Sequence, residues 1–410
     1  DIYYMQSFAN NCPKLTAINI NPANTTISSY DGAVYSADGK TLFFVPEGKQ
    51  EIEFAPTINS FVENTFYNGG LISVTIPESV TIIPRSCFAG CSSLNTITFH
   101  PQVVTIDLNA FANCSSLSNI SLPDGLINLG ERAFEGCTSL TSVTIPDNVV
   151  RVKAEVGDPM SSPFSNCTSL TEIKFNSTSK MKTIPPFFYA GTGVKNVVIP
   201  EGIVKIGEGA FGENVENVTL SSTVSALSLR TDSFYGMGRG LKSIFVDDDN
   251  PYFTSIDGVL LNADASTLVL YPPLKEDSEY ELPASVTQIG ECAFRNAGNI
   301  SLVTLHNNVA KIAQAAFKES SITTITLPST ITEIEAETFS GCPNLSHIYM
   351  GDVTKIGNYA FSNCSLLTNI DYISGISVFS VASSYNFPPT LKEIGSYAFY
   401  SNTSVASVVM

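Results

Sequence analysis

The sequence predicts a β-rich repeat solenoid of about fourteen coils with two β-hairpin inserts, and three observations carry that prediction. The first is a repeat. Phe111-Ala-Asn-Cys114-Ser-Ser-Leu117-Ser-Asn-Ile120-Ser-Leu122-Pro123 returns 23 residues later as Phe134-Glu-Gly-Cys137-Thr-Ser-Leu140-Thr-Ser-Val143-Thr-Ile145-Pro146. A fixed period of this size marks stacked supersecondary units, each burying its apolar side on its neighbours. The second is alternation: Val143 and Ile145 interleave with Ser142 and Thr144, which is the period-two pattern of a half-buried strand. The third is spacing. Phe8, Phe66, Phe88, Phe111, Phe134, Phe164, Phe188, Phe211, Phe234, Phe294, Phe317, Phe339, Phe361 and Phe399 recur mostly at 22 to 24 residues, with longer intervals of 58, 30, 60 and 38. A regular coil with four insertions explains all of them.

Within one unit the elements follow in order. Ser142 to Ile145 is a strand, and Pro146 ends it because proline cannot donate to a ladder. A second extended piece is expected at Val149 to Val152. The Ala133-Phe134 segment is too short for a helix and reads as a turn or 3₁₀ piece. Two of the long intervals share one plan. Asn21-Pro22, Asp31-Gly32, Asp38, Thr41-Leu42 and Pro46 match Asn250-Pro251, Asp257-Gly258, Asp264, Thr267-Leu268 and Pro272. Asp38-Gly39 lies between the β-formers Val34-Tyr35 and Leu42-Phe43-Phe44, a hairpin signal. The duplication divides the chain into solenoid blocks at 1–249, with a hairpin insert at 21–65, and 250–410, with a hairpin insert at 250–293 and a loop insert at 371–389. Neither end carries a polar cap, so trimmed ends or end-to-end contact are expected.

Composition limits the function. The 410 residues carry a net charge of -17, which disfavours nucleic acid and anionic lipid as partners. No run of 18 apolar residues occurs, so no membrane insertion by a helix is expected. No basic, apolar leader opens the sequence at Asp1.

The Leu-x-x-Ile-x-Ile-Pro, Val-x-x-Ile-Gly, Ala-Phe-x-x-Cys pattern, seen again at Phe339-Ser-Gly-Cys342-Pro-Asn-Leu345, resembles the BspA-type leucine-rich repeats of bacterial and some protist surface proteins. The resemblance spans almost the whole chain. It implies a right-handed leucine-rich superhelix displayed outside the cell, and adhesion or host-protein binding as its role. It carries no catalytic motif.

Catalytic and metal chemistry find little support in the residues themselves. Cys91, Cys114, Cys137, Cys167, Cys342 and Cys364 all follow their Phe by three, and Cys12 follows Phe8 by four. Cys87 and Cys292 precede their anchors. Repetition once per coil reads as small buried packing, without the paired spacing of a zinc site. Stacked at the ~4.8 Å coil spacing, their Cβ atoms lie beyond the ~3.8 Å of a disulfide, so reduced thiols are expected. His100 and His306 fill the slot of Pro123 and Pro146. His347 faces outward with no acid beside it in the repeat. Glu131, Glu208 and Glu291 share a slot on coils that are not neighbours, which is unsuited to paired-carboxylate chemistry. Asp247-Asp248-Asp249 lacks the alternating pattern of a calcium loop. No metal and no cofactor is therefore expected.

The outward strand face is mostly Ser, Thr and Asn. Phe245, His347 and Tyr349 interrupt it with large groups. The 371–389 insert adds Tyr372, Phe379, Tyr385 and Phe387, with Asp371 its one charge. These seven are the candidate binding residues, since exposed aromatics dominate recognition; the alternative for Phe379, Tyr385 and Phe387 is a plug of the solenoid end. The function read from the sequence is a non-enzymatic module binding a protein, or a glycan. A structural stalk is the alternative, and a carbohydrate-active solenoid enzyme the weakest reading.

Overall fold

The computed structural model describes residues 9, 11–152, 161–176, 179–228, 238–374, 377–379 and 383–410. Among them the regular structure is β-strand, with no helix. The anchors Phe8 and Phe234 lie outside the described residues. The chain forms two compact units, Asp1–Val215 with Ala226–Ser228, and Glu216–Ser225 with Leu229–Met410.

The coil of the first unit follows the sequence pattern. Ser142–Ile145 pairs in parallel with Glu172–Phe175, setting Val143 against Ile173 and Ile145 against Phe175. Val143 and Ile145 are buried while Thr144 is exposed, so the alternation sorts apolar from hydroxyl side chains. The second extended piece shrinks to Arg151–Val152, parallel to Asn128–Leu129. Val149 is spent in the turn, where its N–H donates to the Pro146 carbonyl at 3.2 Å.

Each coil turns around its aromatic anchor. The rings of Phe66, Phe88, Phe111, Phe134 and Phe164 stack at 4.4, 5.0, 5.2 and 5.8 Å, all within 10° of parallel. The second unit repeats the column through Phe294, Phe317, Phe339, Phe361 and Phe399 at 4.8, 5.4, 5.3 and 5.1 Å. The turn needs left-handed backbone two residues before and two after the anchor, as at Asn109 and Asn113 with φ of 55° and 61°. In the first unit the later slot alternates Asn68, Gly90, Asn113, Gly136, Asn166, Gly191. The alternation has a steric cause. A Cβ on Gly90 would lie 2.0 Å from the Asn68 amide oxygen, and one on Gly136 would lie 2.5 Å from that of Asn113.

One anchor is corrected. Ile206 precedes Phe211 by five, and Ile206 pairs with Ile184, so Tyr189 holds the anchor position rather than Phe188. Tyr189 donates its N–H to Ala210 at 2.9 Å and lies 6.1 Å from the Phe211 ring. Pro185-Pro186 adds the residue that shifts the count.

The hairpin inserts are larger than expected. Ile27–Tyr30, Ala33–Ser36 and Thr41–Phe44 form a three-stranded antiparallel meander, then Thr41–Phe44 pairs in parallel with Ser60–Phe61. Phe253–Ile256, Val259–Asn262 and Thr267–Leu270 copy it. The extra hairpin closes at Asp31-Gly32 and Asp257-Gly258, both residues of each pair having φ between 48° and 74°, the backbone of a type I′ turn. The copies also share a lysine clamp, Lys49 to Asp31 at 3.0 Å and Lys275 to Asp257 at 3.5 Å. The structural partner of Asn250 is Asn24, not Asn21. Asn24 Oδ1 accepts from the N–H of Thr26 and Ile27, and Asn250 Oδ1 from Tyr252 and Phe253.

The 371–389 insert resolves into a hairpin and a strand of the next coil. Tyr372 pairs with Phe379 in an antiparallel turn-back. Tyr385 then pairs with Ile370 on one side and Val408 on the other, both parallel. Tyr385-Asn386-Phe387-Pro388 is therefore that coil's Ile-x-Ile-Pro strand, with aromatics in place of aliphatics.

Candidate binding surface

Strand register builds the outward face. In the first unit it sets Ser73 and Thr75 beside Thr96 and Thr98, and Ser142 and Thr144 beside Glu172 and Lys174. Lys174 and Glu172 form an exposed ion pair at 2.9 Å. With Thr144, Asn196, Val198 and Pro200 they line a shallow groove of about 420 Å³. Val198 is 71% exposed on this face. The groove was not apparent in the sequence, although the outward setting of Glu172 and Val198 follows from the alternation that placed Val143 inward.

In the second unit, Thr324, His347 and Asn369 form one outward row, and Thr326, Tyr349 and Asp371 the next. The His347 and Tyr349 rings stack at 4.4 Å and 15°. His347 Nε2 hydrogen-bonds Asp371 Oδ2, and Asp371 is only 1% exposed. Asn386 Nδ2 approaches the other carboxyl oxygen at 3.5 Å. A buried carboxylate requires such donors. The repeat pattern sets no acid beside His347; the neighbouring strand supplies one. Tyr372 is half-buried and donates to Asp352 Oδ1 at 3.1 Å.

The remaining candidates separate. Phe245 is half exposed on Ser243–Val246, which pairs with Asn217–Leu220 and not with the His347 strand. Tyr385 and Phe387 are buried in the core against Phe399, with ring centroids at 5.1 and 5.7 Å. The Tyr385 hydroxyl donates to the Leu367 carbonyl at 3.1 Å. Their side chains offer no surface to a partner, because they occupy inward strand positions. The Phe379 side chain lies outside the described residues.

Six of the thiols, His100, His306 and Asp247 have structural partners. All nine cysteines are free thiols, and all except exposed Cys12 are buried. Six form a ladder in which each thiol donates to the anchor carbonyl of the preceding coil: Cys91 to Phe66 at 2.9 Å, Cys114 to Phe88 at 3.2 Å, Cys137 to Phe111 at 3.3 Å, Cys167 to Phe134 at 3.0 Å, Cys342 to Phe317 at 3.0 Å and Cys364 to Phe339 at 3.0 Å. This explains Cys at that slot: it is small, apolar and carries one donor. Burial pushes Cys91 and Cys167 up to about 12, so neither is a ready thiolate. His100 and His306 act alike. Each Nδ1 faces a backbone N–H two residues on, so Nε2–H donates to the coil before, to Val80 at 2.9 Å and Pro283 at 3.0 Å. Asp247 Oδ1 accepts from the Asp249 N–H at 3.0 Å in its own loop. Among the described residues no three His, Cys, Asp or Glu side chains gather as a metal site, and no helix is long and apolar enough to cross a membrane.

The family model described as the BspA type leucine-rich repeat region matches residues 42–156, 160–255, 276–386 and 377–410. No curated protein matches the sequence. Among solved structures, a leucine-rich cell surface protein of Faecalibacterium prausnitzii is 23% identical with a TM-score of 0.54, covering 95% of each chain. A leucine-rich repeat protein of Bacteroides ovatus is 21% identical over 92% of this chain and 91% of its own, with a TM-score of 0.48. The pneumococcal vaccine antigen PcpA is 19% identical over 96% and 87%, with a TM-score of 0.47. The sequence-wide repeat match, set on a solenoid of stacked coils, makes this chain a member of the BspA-type leucine-rich repeat family.

Proposed function

We propose that this chain is a cell-surface adhesion module that binds a host or extracellular-matrix protein on the outward face of the second unit, around His347 and Tyr349. One observation carries the proposal: on a face of short hydroxyl and amide groups, two stacked rings stand outward, and the buried Asp371 fixes one of them. Rigid aromatics contribute contact area at little entropic cost, which is the character of a binding hot spot. Membership of a leucine-rich repeat family and the surface naming of the F. prausnitzii protein support an extracellular binding role. The blocks 1–249 and 250–410, each opened by a copy of the same meander, fit growth of the chain by internal duplication.

The test is surface plasmon resonance against immobilised matrix proteins and mucins. Tyr349→Ser restores the hydroxyl that other coils carry there. It is expected to weaken the best-bound ligand at least tenfold with an unchanged melting temperature. Equal affinity would exclude this face. The hydroxyl rows of the first unit favour a second reading, a spacer with no selective surface, which predicts no binding across the whole panel.

A further inference from the structure

We infer that Tyr359, Tyr397 and Tyr400 form a second binding site, on the turn side of the coils, whose ligand is a neutral polysaccharide. The three rings form one cluster. Tyr359 and Tyr397 stack at 5.2 Å and 11°, and Tyr400 meets Tyr397 edge-on at 5.9 Å and 82°. All three are exposed, at 43%, 60% and 56%. The first two occupy equivalent backbone positions on their coils. Tyr359 and Tyr397 hold φ of 57° and 56°, in the slot two before the anchor. Other coils fill that left-handed slot with Asn64, Ser86, Asn109, Arg132, Cys292, Ala315 and Glu337, and before Tyr189 with the buried Phe187; Asn in particular tolerates it. A bulky ring there is strained; Phe187 is buried in its slot, whereas Tyr359 and Tyr397 hold theirs exposed. Core packing does not account for the rings, because the neighbouring anchors Phe361 and Phe399 already fill the interior.

The surroundings set the ligand class. Asn358, Ser396, Asn363 and Ser401 are exposed beside the rings. Asn358 Oδ1 accepts from the Ser396 N–H at 2.7 Å, which locks the amide between the two coils. The preceding coil puts Glu337 in the same slot, but Lys318 pairs with it. The patch thus presents aromatic faces, phenol hydroxyls and amides without a net charge. Aromatic faces take the C–H side of a sugar ring, and the hydroxyls and amides take its hydroxyls. A sulfated or uronate glycan would meet the repulsion of a chain with net charge -17. The proposal stands apart from the His347–Tyr349 surface and does not depend on it.

The experiment is native affinity electrophoresis in gels containing mixed-linkage β-glucan, galactomannan or xyloglucan, with heparin as the anionic control, alongside a thermal melt. The double variant Tyr359→Asn/Tyr397→Asn installs the residue that suits the backbone. Retardation of the unaltered chain by at least one neutral polysaccharide, reduced at least tenfold in the variant with a melting temperature equal or higher, is the expected result. Retardation by heparin alone, by none of the gels, or equally for both proteins overturns the proposal. A variant that melts lower and is equally retarded assigns the stack a structural role instead. If the variant loses binding to a matrix protein while no polysaccharide retards either chain, the patch belongs to a protein interface.

Discussion

The two units are alike inside and unlike outside. Phe66 to Phe164 and Phe294 to Phe399 stack at nearly the same ring spacings, and the same thiol ladder runs beside both columns. The outward rows diverge. The first unit shows Ser73, Thr75, Thr96 and Thr98, whereas the second shows His347, Tyr349 and the buried Asp371. The interior is held constant because each coil must fit the one before it within a fraction of an ångström, and close-packed interiors resist change of volume. The outward positions are not packed into a core, so they are freer to differ, and a selective surface can arise on adjacent coils such as those of His347 and Asp371 without disturbing the stack.

The largest effect should come from breaking the interior. Phe111→Ala and Phe339→Ala each remove a fully buried ring and should cost about 3–5 kcal/mol, by a similar amount in each column, as measured by urea unfolding. A clear inequality would show that one column tolerates a gap. The turn slot distinguishes the units more sharply. Gly90→Ala places a Cβ against Asn68 at left-handed φ, whereas the Gly341 Cβ position lies 3.2 Å from the flexible Glu319 side chain. Both glycines hold left-handed φ, so each change should cost about 1–2 kcal/mol from the backbone, and Gly90→Ala more in total because its Cβ also meets Asn68. Adding Asn68→Gly to Gly90→Ala should recover part of the loss, a non-additivity that a double-mutant cycle measures.

Alkaline pH probes the thiol ladder. Cys91 and Cys167 rise from 9.0 to about 12 through burial, and burial likewise takes Tyr35 and Tyr280 from 10.0 to about 12. The folded state therefore holds protons that the unfolded chain releases. Stability is full below pH 9 and falls as pH rises toward 12, by about 1.4 kcal/mol per pH unit for each thiol titrating only when unfolded. Melts between pH 8 and 11 give the slope, and a flat profile would contradict the burial of these groups. In the native state a thiol reagent should label Cys12 rapidly and the other eight slowly; after denaturation without reductant all nine should react. The smallest effect belongs outside: Tyr349→Ser should change stability by less than about 0.5 kcal/mol. A larger loss would mean that the His347–Tyr349 stack holds the fold.

Legibility followed the range of the interactions. His347 and Tyr349 could be placed outward from alternation alone, since a strand decides that locally. Asp371 could not be placed beside them, because its position depends on a register set by the strand of the following coil. Tyr385 and Phe387 read as an insert because aromatics stood where the repeat has Ile, yet the proline after Phe387 was a usable signal. The stack of Tyr359 on Tyr397 joins residues 38 apart, across the coil that contains the extra hairpin.

The repeat, the family, most of the inward side chains and the lack of paired-cysteine spacing are legible along the chain alone. These are written in short periods, two along a strand and about 23 along the coil, and every coil states them again. Stacking of the coils establishes that Tyr189 is an anchor, that Asn24 matches Asn250, that Asp371 is buried against His347 and that three tyrosines meet on the turn side. Each of these depends on how many residues the chain spends between two coils. That number is settled where the coils stack, because a shift of one residue along a strand exchanges its inner and outer faces.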